Sequence, residues 1–319
     1  MTESITLRLQ RLGAQVLERG WLSANNIVFV DGELGATVVD TGFCTHADQT
    51  LALLDTALAG RPLARVVNTH LHSDHCGGNA ALAAHWPGLH IEVPAASRDK
   101  VQPWDESRLT YRQMDQHCDP FPVHGFFGHG DTVRLGALDW QVHATAGHDP
   151  DAVVLFEPDS RTLISGDALW QDRLAIVFPE LEGEPGFADV GRTLDLIESL
   201  RPTLVLPGHG RPFTDVDAAL QASRQRLAGF VAAPMRHRLH AARALVVYHL
   251  LSYRQLPYAD LVQWIATTPI FQSALQCADD PERAQAMARE TVERLVADGV
   301  VLDDGPQARD RQVRMAAPG

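Results

Sequence analysis

The chain has 319 residues, of which 45% are hydrophobic and 21% charged, and its formal net charge is −13 with histidine neutral. This length fits one large domain, or one domain with a smaller second one. The acidic balance argues against general nucleic-acid binding, which needs a basic surface, and no run of about 18 apolar residues indicates a membrane span.

The N-terminus and the cysteines bear on the cellular compartment. The first residues lack a basic stretch followed by an apolar core, so the sequence predicts no signal peptide. The four cysteines are widely spaced and form no C-x-x-C pair: Cys44, Cys76, Cys118 and Cys277. This usage favours reduced thiols in a cytoplasmic protein.

The first forty residues predict a β-hairpin. The apolar run 27–30 leads into Asp31-Gly32, and a second β-branched run follows over residues 36–40. The second run ends in Asp40-Thr41-Gly42. From the residues alone, Asp40 is open to two interpretations, a simple turn aspartate or a residue that supports a nearby site.

The densest group of chemically active side chains lies between a predicted strand and a predicted helix. A helical pattern over residues 47–59 precedes the apolar run 65–68, which indicates a buried strand. His70 and His72, two residues apart in an extended segment, can point the same way. A helix with Asn79 as its N-cap is predicted next. Within six residues the segment holds four side chains of the types that bind zinc and related metals: His70, His72, Asp74 and His75.

A histidine-rich surface turn is the alternative interpretation, but four ligand types so close together favour a metal site. A further strand is predicted over residues 89–93. The resulting strand–helix–strand alternation is typical of an α/β unit.

Residues 97–129 interrupt this alternation with a long aromatic segment. Such an insertion is either a lid over a site or a surface excursion that packs its own aromatic side chains. Under the lid hypothesis, the expected walls of the substrate pocket are Trp104, Tyr111, Phe126 and Phe127, together with Trp170 farther along the chain.

Three more candidate ligands follow apolar, strand-like runs in the second half of the chain. They are His148, Asp167 and His209, and a glycine directly precedes each of them. Glycine lets the backbone turn tightly at such a position. Each residue alone would be ordinary, but the shared context and the order His, Asp, His favour one common site.

These motifs together resemble the metallo-β-lactamase fold superfamily, over residues 8–215. The resemblance implies an α/β (α+β) fold, an αββα sandwich of two mixed sheets with helices outside and metals at one edge. It implies that Asp40 supports the metal loop from behind the ligands. The ligands that it implies are, for one ion, His70, His72 and His148, for a second ion, Asp74, His75 and His209, and for the bridge between them, Asp167.

The resemblance implies a metal-dependent hydrolase that uses a hydroxide bridging two metal ions, most simply zinc, with manganese or iron also accepted by such ligands. Asp74 is the ligand expected to orient the hydroxide and to pass on its proton. A small ester-like acyl substrate, a thioester or a lactone, is favoured. A phosphodiesterase or nuclease acting on RNA or DNA, and a non-catalytic ligand-binding protein of the same fold, stay open as alternatives.

The sequence predicts a separate, mostly helical region over residues 216–319, after the catalytic domain expected over residues 1–215. Its arginine-rich stretch 224–243 holds no aspartate or glutamate, and Pro234 indicates a break between two helices. Helices around 258–267 and 281–297 precede a short hairpin, which resembles the winged-helix appendage of some hydrolases of this fold. The alternatives are a pocket cap or a homodimer interface. The tail from Gln307 shows no core pattern and is expected to be mobile.

Overall fold

The computed structural model describes residues 3–30, 32, 34–305 and 311–316. The chain divides into two compact units. The first unit comprises Met1–Arg112, Gln116–Glu180 and Pro185–Ala228, and the second comprises Gln113–Asp115, Leu181–Glu184 and Gly229–Gly319. The main division therefore comes after Ala228, inside a helix. The boundary predicted from the sequence, residue 215, lies earlier in the chain.

The first sheet has six strands in sequence order. They are β1 Ala14–Leu17, β2 Asn26–Phe29, β3 Ala36–Val39, β4 Leu63–Val67, β5 His90–Pro94 and β6 Gly125–Phe127. β1, β2 and β3 pair antiparallel, and β3 to β6 pair parallel, so the sheet is mixed. β2 and β3 form the predicted hairpin, with Val28 opposite Val38. Its predicted Asp-Gly turn includes Asp31, which lies outside the described residues.

The second sheet has five strands in the order β11, β10, β9, β8, β7. They are β7 Thr132–Leu135, β8 Leu138–Ala144, β9 Val153–Glu157, β10 Thr162–Gly166 and β11 Leu204–Pro207. β7 to β10 pair antiparallel, whereas β11 pairs parallel with β10. This sheet is therefore also mixed.

Strand alternation shows how the two sheets face each other. On β2 and β3, Ile27 and Val39 belong to one buried cluster, which also contains Val142 and Leu206 of the second sheet. Val28 belongs to a different cluster, with side chains of the flanking helices. Since successive side chains of a strand point to opposite faces, the first sheet buries one face against the second sheet and the other against helices. This arrangement confirms the predicted sandwich of two mixed sheets.

The helices of the chain up to residue 232 connect and cover these sheets. They are α1 Ile5–Leu12, α2 Ala47–Leu58, α3 Ser73–Cys76, α4 Asn79–His85, α5 Arg98–Val101, α6 Tyr111–Met114, α7 Phe178–Glu182, α8 Phe187–Leu200 and α9 Val216–Ala232, with 3-10 turns at Cys44–His46 and Ala95–Ser97. α2 buries Leu54 and Leu58 one helical turn apart, as its pattern predicts. Gly78, and not Asn79, is the N-cap of α4, because the Asn79 amide is buried and donates to Asn68 Oδ1.

The aromatic rings of the segment 97–129 belong to the first unit. Tyr111 is 2% exposed and lies in the same apolar cluster as Trp104, and Phe127 is 5% exposed in the core between the sheets. The Arg98 guanidinium lies 3.9 Å from the centre of the Phe126 ring. The structure thus places Tyr111 and Phe127 in the core, where the lid hypothesis expected pocket walls, because burial of these rings stabilises the fold more than an open wall would.

The second unit combines helices with a three-stranded antiparallel sheet in the order β12, β14, β13. Its elements are α10 Pro234–Tyr253, β12 Gln255–Pro257, α11 Tyr258–Thr267, α12 Pro269–Ala274, α13 Pro281–Ala297, β13 Val301–Asp303 and β14 Gln312–Met315. The break before Pro234 and the predicted bounds of α11 and α13 are as expected.

The C-terminal tail differs from its prediction. β14 is a paired strand whose Val313 is fully buried, because one apolar residue opposite β12 and β13 is enough to anchor a short central strand. The rest of the predicted mobile tail, 306–310 and 317–319, lies outside the described residues. Among the helices that the structure describes, none has the length and apolarity that crossing a membrane requires.

Candidate metal centre

The predicted ligands lie where strands of the two sheets end. β4 leads into His70 and His72, β8 into His148, β10 into Asp167 and β11 into His209, while α3 carries Asp74 and His75. The structure brings all seven side chains together as two groups that could each hold a metal ion. The first group is His70, His72 and His148, and the second group is Asp74, His75, Asp167 and His209.

The first group consists of three imidazoles whose ring nitrogens converge. His70 Nε2 lies 3.1 Å from His72 Nδ1, which lies 2.9 Å from His148 Nε2. All three rings are buried or nearly so. Three converging imidazole nitrogens are a usual set of protein ligands for zinc.

The second group combines two imidazoles with two carboxylates. His209 Nε2 lies 3.0 Å from Asp74 Oδ2, and His75 Nε2 lies 3.2 Å from Asp167 Oδ1. His75 Nε2 is buried, and in the described structure no neighbouring atom, Asp167 Oδ1 included, is aligned to form a hydrogen bond with it. A buried polar atom without a partner is costly, so this nitrogen fits a position that faces a metal ion.

Asp167 faces both groups. Its Oδ1 is the oxygen near His75 of the second group, and its Oδ2 lies 3.4 Å from His148 Nε2 of the first group. A carboxylate in this orientation can give one oxygen to each of two neighbouring ions.

Each of the five histidines has an oxygen near its outward ring nitrogen. The pairs are His70 Nδ1 with Thr69 Oγ1 at 3.2 Å, His72 Nε2 with Asp149 Oδ2 at 3.4 Å, His75 Nδ1 with Asp40 Oδ2 at 2.7 Å, His148 Nδ1 with the Ile176 carbonyl at 2.7 Å and His209 Nδ1 with the Gly20 carbonyl at 3.2 Å. An outward nitrogen that donates a proton leaves a lone pair on the inward nitrogen. Inward lone pairs that face each other at about 3 Å suit a cation between them.

Asp40 holds the metal loop in place, as the resemblance implies. Its Oδ1 accepts a hydrogen bond from the Thr69 backbone N–H, and its Oδ2 accepts bonds from Thr69 Oγ1 and His75 Nδ1. The Asp40 backbone has φ 58°, a left-handed conformation that is unfavourable for a residue with a side chain. Such strain is typical of positions that the surrounding structure holds for a functional purpose.

The two groups differ in charge. Burial lowers the pKa of His72 and of His148 to about 4 and holds that of His70 well below its usual value, so the first group is neutral at pH 7. In the second group, burial is outweighed by the mutual attraction of opposite charges. The carboxylates raise the pKa of His75 and His209, and these imidazoles lower the pKa of Asp74 and Asp167.

A model of the metallo-beta-lactamase superfamily matches residues 20–209, which contain all seven candidate ligands. The chain belongs to this superfamily. It is similar to the probable metallo-hydrolase YflN of Bacillus subtilis, 27% identical over 182 residues, 49% of this chain and 67% of the relative. It is also similar to the acyl-coenzyme A thioesterase MBLAC2 of Bos taurus, 27% identical over 223 residues, 62% of this chain and 78% of the relative.

Solved structures agree with this membership at the level of the fold. The crystal structure of a metallo-beta-lactamase family protein from Thermus thermophilus has a TM-score of 0.56 at 18% identity, and the match covers 96% of this chain and 99% of that chain. The fold, the family and the His/Asp cluster together identify a superfamily member with a metal site.

Two glycines of this superfamily member are needed for the close approach of the ligand loops. A Cβ at Gly208 would lie 2.5 Å from Asp167 Oδ1 and 2.8 Å from His75 Cε1. Gly166 has φ +48°, and a Cβ there would lie 2.8 Å from Thr69 Oγ1. Gly208 is thus required for space and Gly166 for both space and conformation.

Aromatic rings flank the ligands on two sides. The Phe178 ring lies 4.9 Å from that of His72 and 5.4 Å from that of His148. Trp170, a predicted pocket residue, donates from Nε1 to Asp167 Oδ1 at 3.2 Å and so contacts a candidate ligand directly. Phe178 was not predicted, since nothing in its local sequence marks it.

Two other residues near the centre have informative placements. Asp149 directly follows His148 in the chain and contacts His72. It was not predicted, although an acidic residue next to a candidate ligand in the sequence could have indicated its role. Cys76 directly follows His75 but is buried among Tyr111 and Cys118, with Sγ 3.2 Å from Tyr111 Oη and 3.9 Å from Cys118 Sγ. Cys76 thus points into the core cluster, as a small buried residue does.

Proposed function

We propose that this superfamily member is a dinuclear metal-dependent hydrolase that acts on a small ester-like acyl substrate, first of all a thioester. The observation that carries the proposal is the orientation of Asp167, with one oxygen toward each ligand group. The first ion would be held by His70, His72 and His148, the second by Asp74, His75 and His209, with Asp167 shared.

Two divalent ions bound there would polarise the substrate carbonyl and lower the pKa of a bound water to about 7. The chain's own contribution is to fix the ligands, through the oxygens behind the five imidazoles, and to move a proton. Asp74 suits the second task, because its side chain is 15% exposed whereas that of Asp167 is 6% exposed. A carboxylate that reaches both the second ligand group and solvent can pass a proton outward.

We propose zinc as the native metal, because small groups of histidine nitrogens and carboxylate oxygens, with Asp167 counted in both, suit it. Manganese and iron are accepted by similar ligand sets, so the metal content of the purified protein decides among them. Removal of the metal with a chelator should abolish turnover, and the added ion should restore it.

Two observations support an acyl substrate over a nucleic acid. The relative from Bos taurus is an acyl-coenzyme A thioesterase. In addition, the arginines of the basic stretch mostly have partners within the chain: Arg224 pairs with Asp195 and Glu198, and Arg243 pairs with Asp298. Paired guanidinium groups offer little charge to a phosphate backbone.

The test is turnover of a defined panel by metal-loaded protein. The panel contains an acyl thioester, a γ-lactone and a phosphodiester such as bis(p-nitrophenyl) phosphate. We expect hydrolysis of the thioester at a kcat/KM at least about tenfold above the others, a difference of about 1.4 kcal/mol in transition-state stabilisation. Faster cleavage of the phosphodiester would replace the acyl proposal with the nuclease alternative.

The proposed partner is the small-molecule substrate alone. The prediction of a homodimer through the C-terminal helices stays a prediction, which light scattering after size-exclusion chromatography would decide.

A further inference from the structure

An exposed tryptophan lies against a candidate metal ligand. Trp21 is 42% exposed, which is unusual for so large an apolar side chain. Its ring is nearly parallel to the His209 imidazole, with ring centres 5.6 Å apart and an interplanar angle of 15°. Trp21 is thus an open apolar surface that begins at the metal centre.

A second indole connects this surface to the ligands. The Trp170 ring lies 5.4 Å from Trp21 and 5.4 Å from His209, edge-on to both. The same indole donates its N–H to Asp167. Trp170 is therefore fixed at one end by a ligand and packs against Trp21 at the other, so the position of Trp21 relative to the centre is defined.

A cation lies over the exposed indole. The Arg173 Cζ atom is 4.7 Å from the centre of the Trp21 ring. Arg173 is exposed, and in the described part of the chain no carboxylate pairs with it. Arg224 and Arg243, by contrast, pair with carboxylates of the chain. An unpaired guanidinium in a protein of net charge −13 is available to an anionic ligand.

We propose that Trp21, Trp170 and Arg173, here called the Trp21 platform, recognise an anionic group on the substrate. The substrate class is an ester or thioester that carries a carboxylate or a phosphate, with its apolar portion over the Trp21 ring and its anion on Arg173. The part of this inference that places the scissile bond at the metal centre rests on the proposed function. The part that places an anion on Arg173 rests on the platform alone.

The acidic net charge of the protein explains why a local cation would help an anionic substrate to bind. A net charge of −13 disfavours the approach of an anionic substrate, so a local cation beside the centre is needed to select one. Guanidinium binds carboxylate and phosphate through two parallel hydrogen bonds, which also orients the substrate. The indole beneath contributes apolar contact without a charge of its own.

The test uses a pair of thioesters that differ only by a carboxylate, S-benzoyl-N-acetylcysteine and S-benzoyl-N-acetylcysteamine. We expect wild-type kcat/KM to favour the anionic member by about tenfold, the range of one charge-assisted interaction. Arg173→Gln should bring this ratio close to one, mainly through KM of the anionic member. Added salt should lower the wild-type ratio in the same direction.

Arg192→Gln is the matched control, because Arg192 is exposed on α8 and pairs with Asp189. It should leave the ratio unchanged. Trp21→Leu should raise KM for both substrates, since the ring contacts their shared apolar portion. Metal content and circular dichroism of each variant exclude a folding defect as the cause.

Binding separates this inference from the proposed function. The corresponding thioethers, in which a methylene replaces the carbonyl, are measured by calorimetry with wild type and Arg173→Gln. Tighter binding of the anionic thioether that Arg173→Gln removes supports the platform, even if no thioester is hydrolysed and the proposed function fails. Hydrolysis of both thioesters with equal kcat/KM, and equal thioether binding, would overturn the platform and leave the hydrolase intact.

Discussion

The first and second ligand groups are neighbours, yet the pKa values of their histidines are shifted in opposite directions. In the first group, burial keeps three imidazoles neutral, with the pKa of His72 and His148 near 4. In the second group, carboxylates raise the pKa of His75 and His209, so without a metal these rings keep their protons to a higher pH than the rings of the first group. The first group is ready for a cation, whereas the second must exchange protons for one.

The supports behind the ligands differ in the same way. Asp40, behind His75, is itself held by a rigid loop through Thr69 and is buried. Asp149, behind His72, lies at 3.4 Å and neighbours Asp151, and burial, aided by Asp151, raises the Asp149 pKa. The two groups thus differ in how firmly the chain orients their candidate ligands.

Loss of Asp167 should have the largest effect, because its two oxygens face the two groups. We expect Asp167→Ala to lower kcat/KM by at least about 10³-fold and to reduce metal content below one ion per chain. Metal analysis and thioester turnover are the measurements. Near-normal turnover in this variant would show that Asp167 does not connect the groups.

Removal of one histidine from each group should separate them. His148→Ala should lose the ion of the first group and His209→Ala that of the second, each leaving about one ion per chain and lowering kcat by about 10²-fold. His117→Ala is the control, because His117 is exposed and pairs with Asp119. If either ligand variant kept two ions, its assignment to a group would be wrong.

The sequence could predict the convergence of these seven side chains because each candidate ligand is positioned by something local. Apolar runs mark the strands, and a glycine before His148, Asp167 and His209 marks the place where each backbone turns. Parallel and antiparallel strands of one sheet bring such ends to a common edge. For the first four candidate ligands, the close spacing within residues 70–75 was enough to predict that they lie together.

Other features depend on tertiary packing that no short pattern encodes. Aromatic composition suggested that Tyr111 and Phe127 line a pocket, yet composition does not tell which face of an irregular segment is buried, and both rings are in the core. Trp21, in a loop, and Phe178, at the start of α7, reach the centre only because these segments fold back beside it. The single buried apolar residue of β14, Val313, gives too weak a pattern to predict a strand.

The weaker support of the first group leads to a smaller prediction. Asp149→Asn keeps the shape of the side chain but removes its charge, so the orientation and basicity of His72 should suffer. We expect metal affinity of the first group to fall about 10- to 100-fold, the range for residues that orient metal-binding histidines. Competition with a chelator measures it, in His209→Ala so that the first group is observed alone. An unchanged affinity would mean that Asp149 contributes packing only.

The smallest expected effect is a difference between the two groups in the number of protons released when a metal ion binds. In His148→Ala, which keeps the second group, the raised pKa values of His75 and His209 keep these rings protonated to a higher pH than an ordinary imidazole. Binding of one zinc ion should therefore release protons. In His209→Ala, which keeps the first group, His72 and His148 are already neutral above pH 4, so release should be close to zero.

Calorimetry in buffers of different ionisation enthalpy counts these protons directly. The sign of the pH dependence follows from the same pKa directions. Raising the pH through the raised pKa values of His75 and His209 removes the competing protons, so affinity of the second group should increase and its proton release should fall. Affinity of the first group should stay flat until the pH approaches 4. Equal proton release by the two variants would mean that both groups exchange protons for metal alike, and the electrostatic contrast between them would not hold.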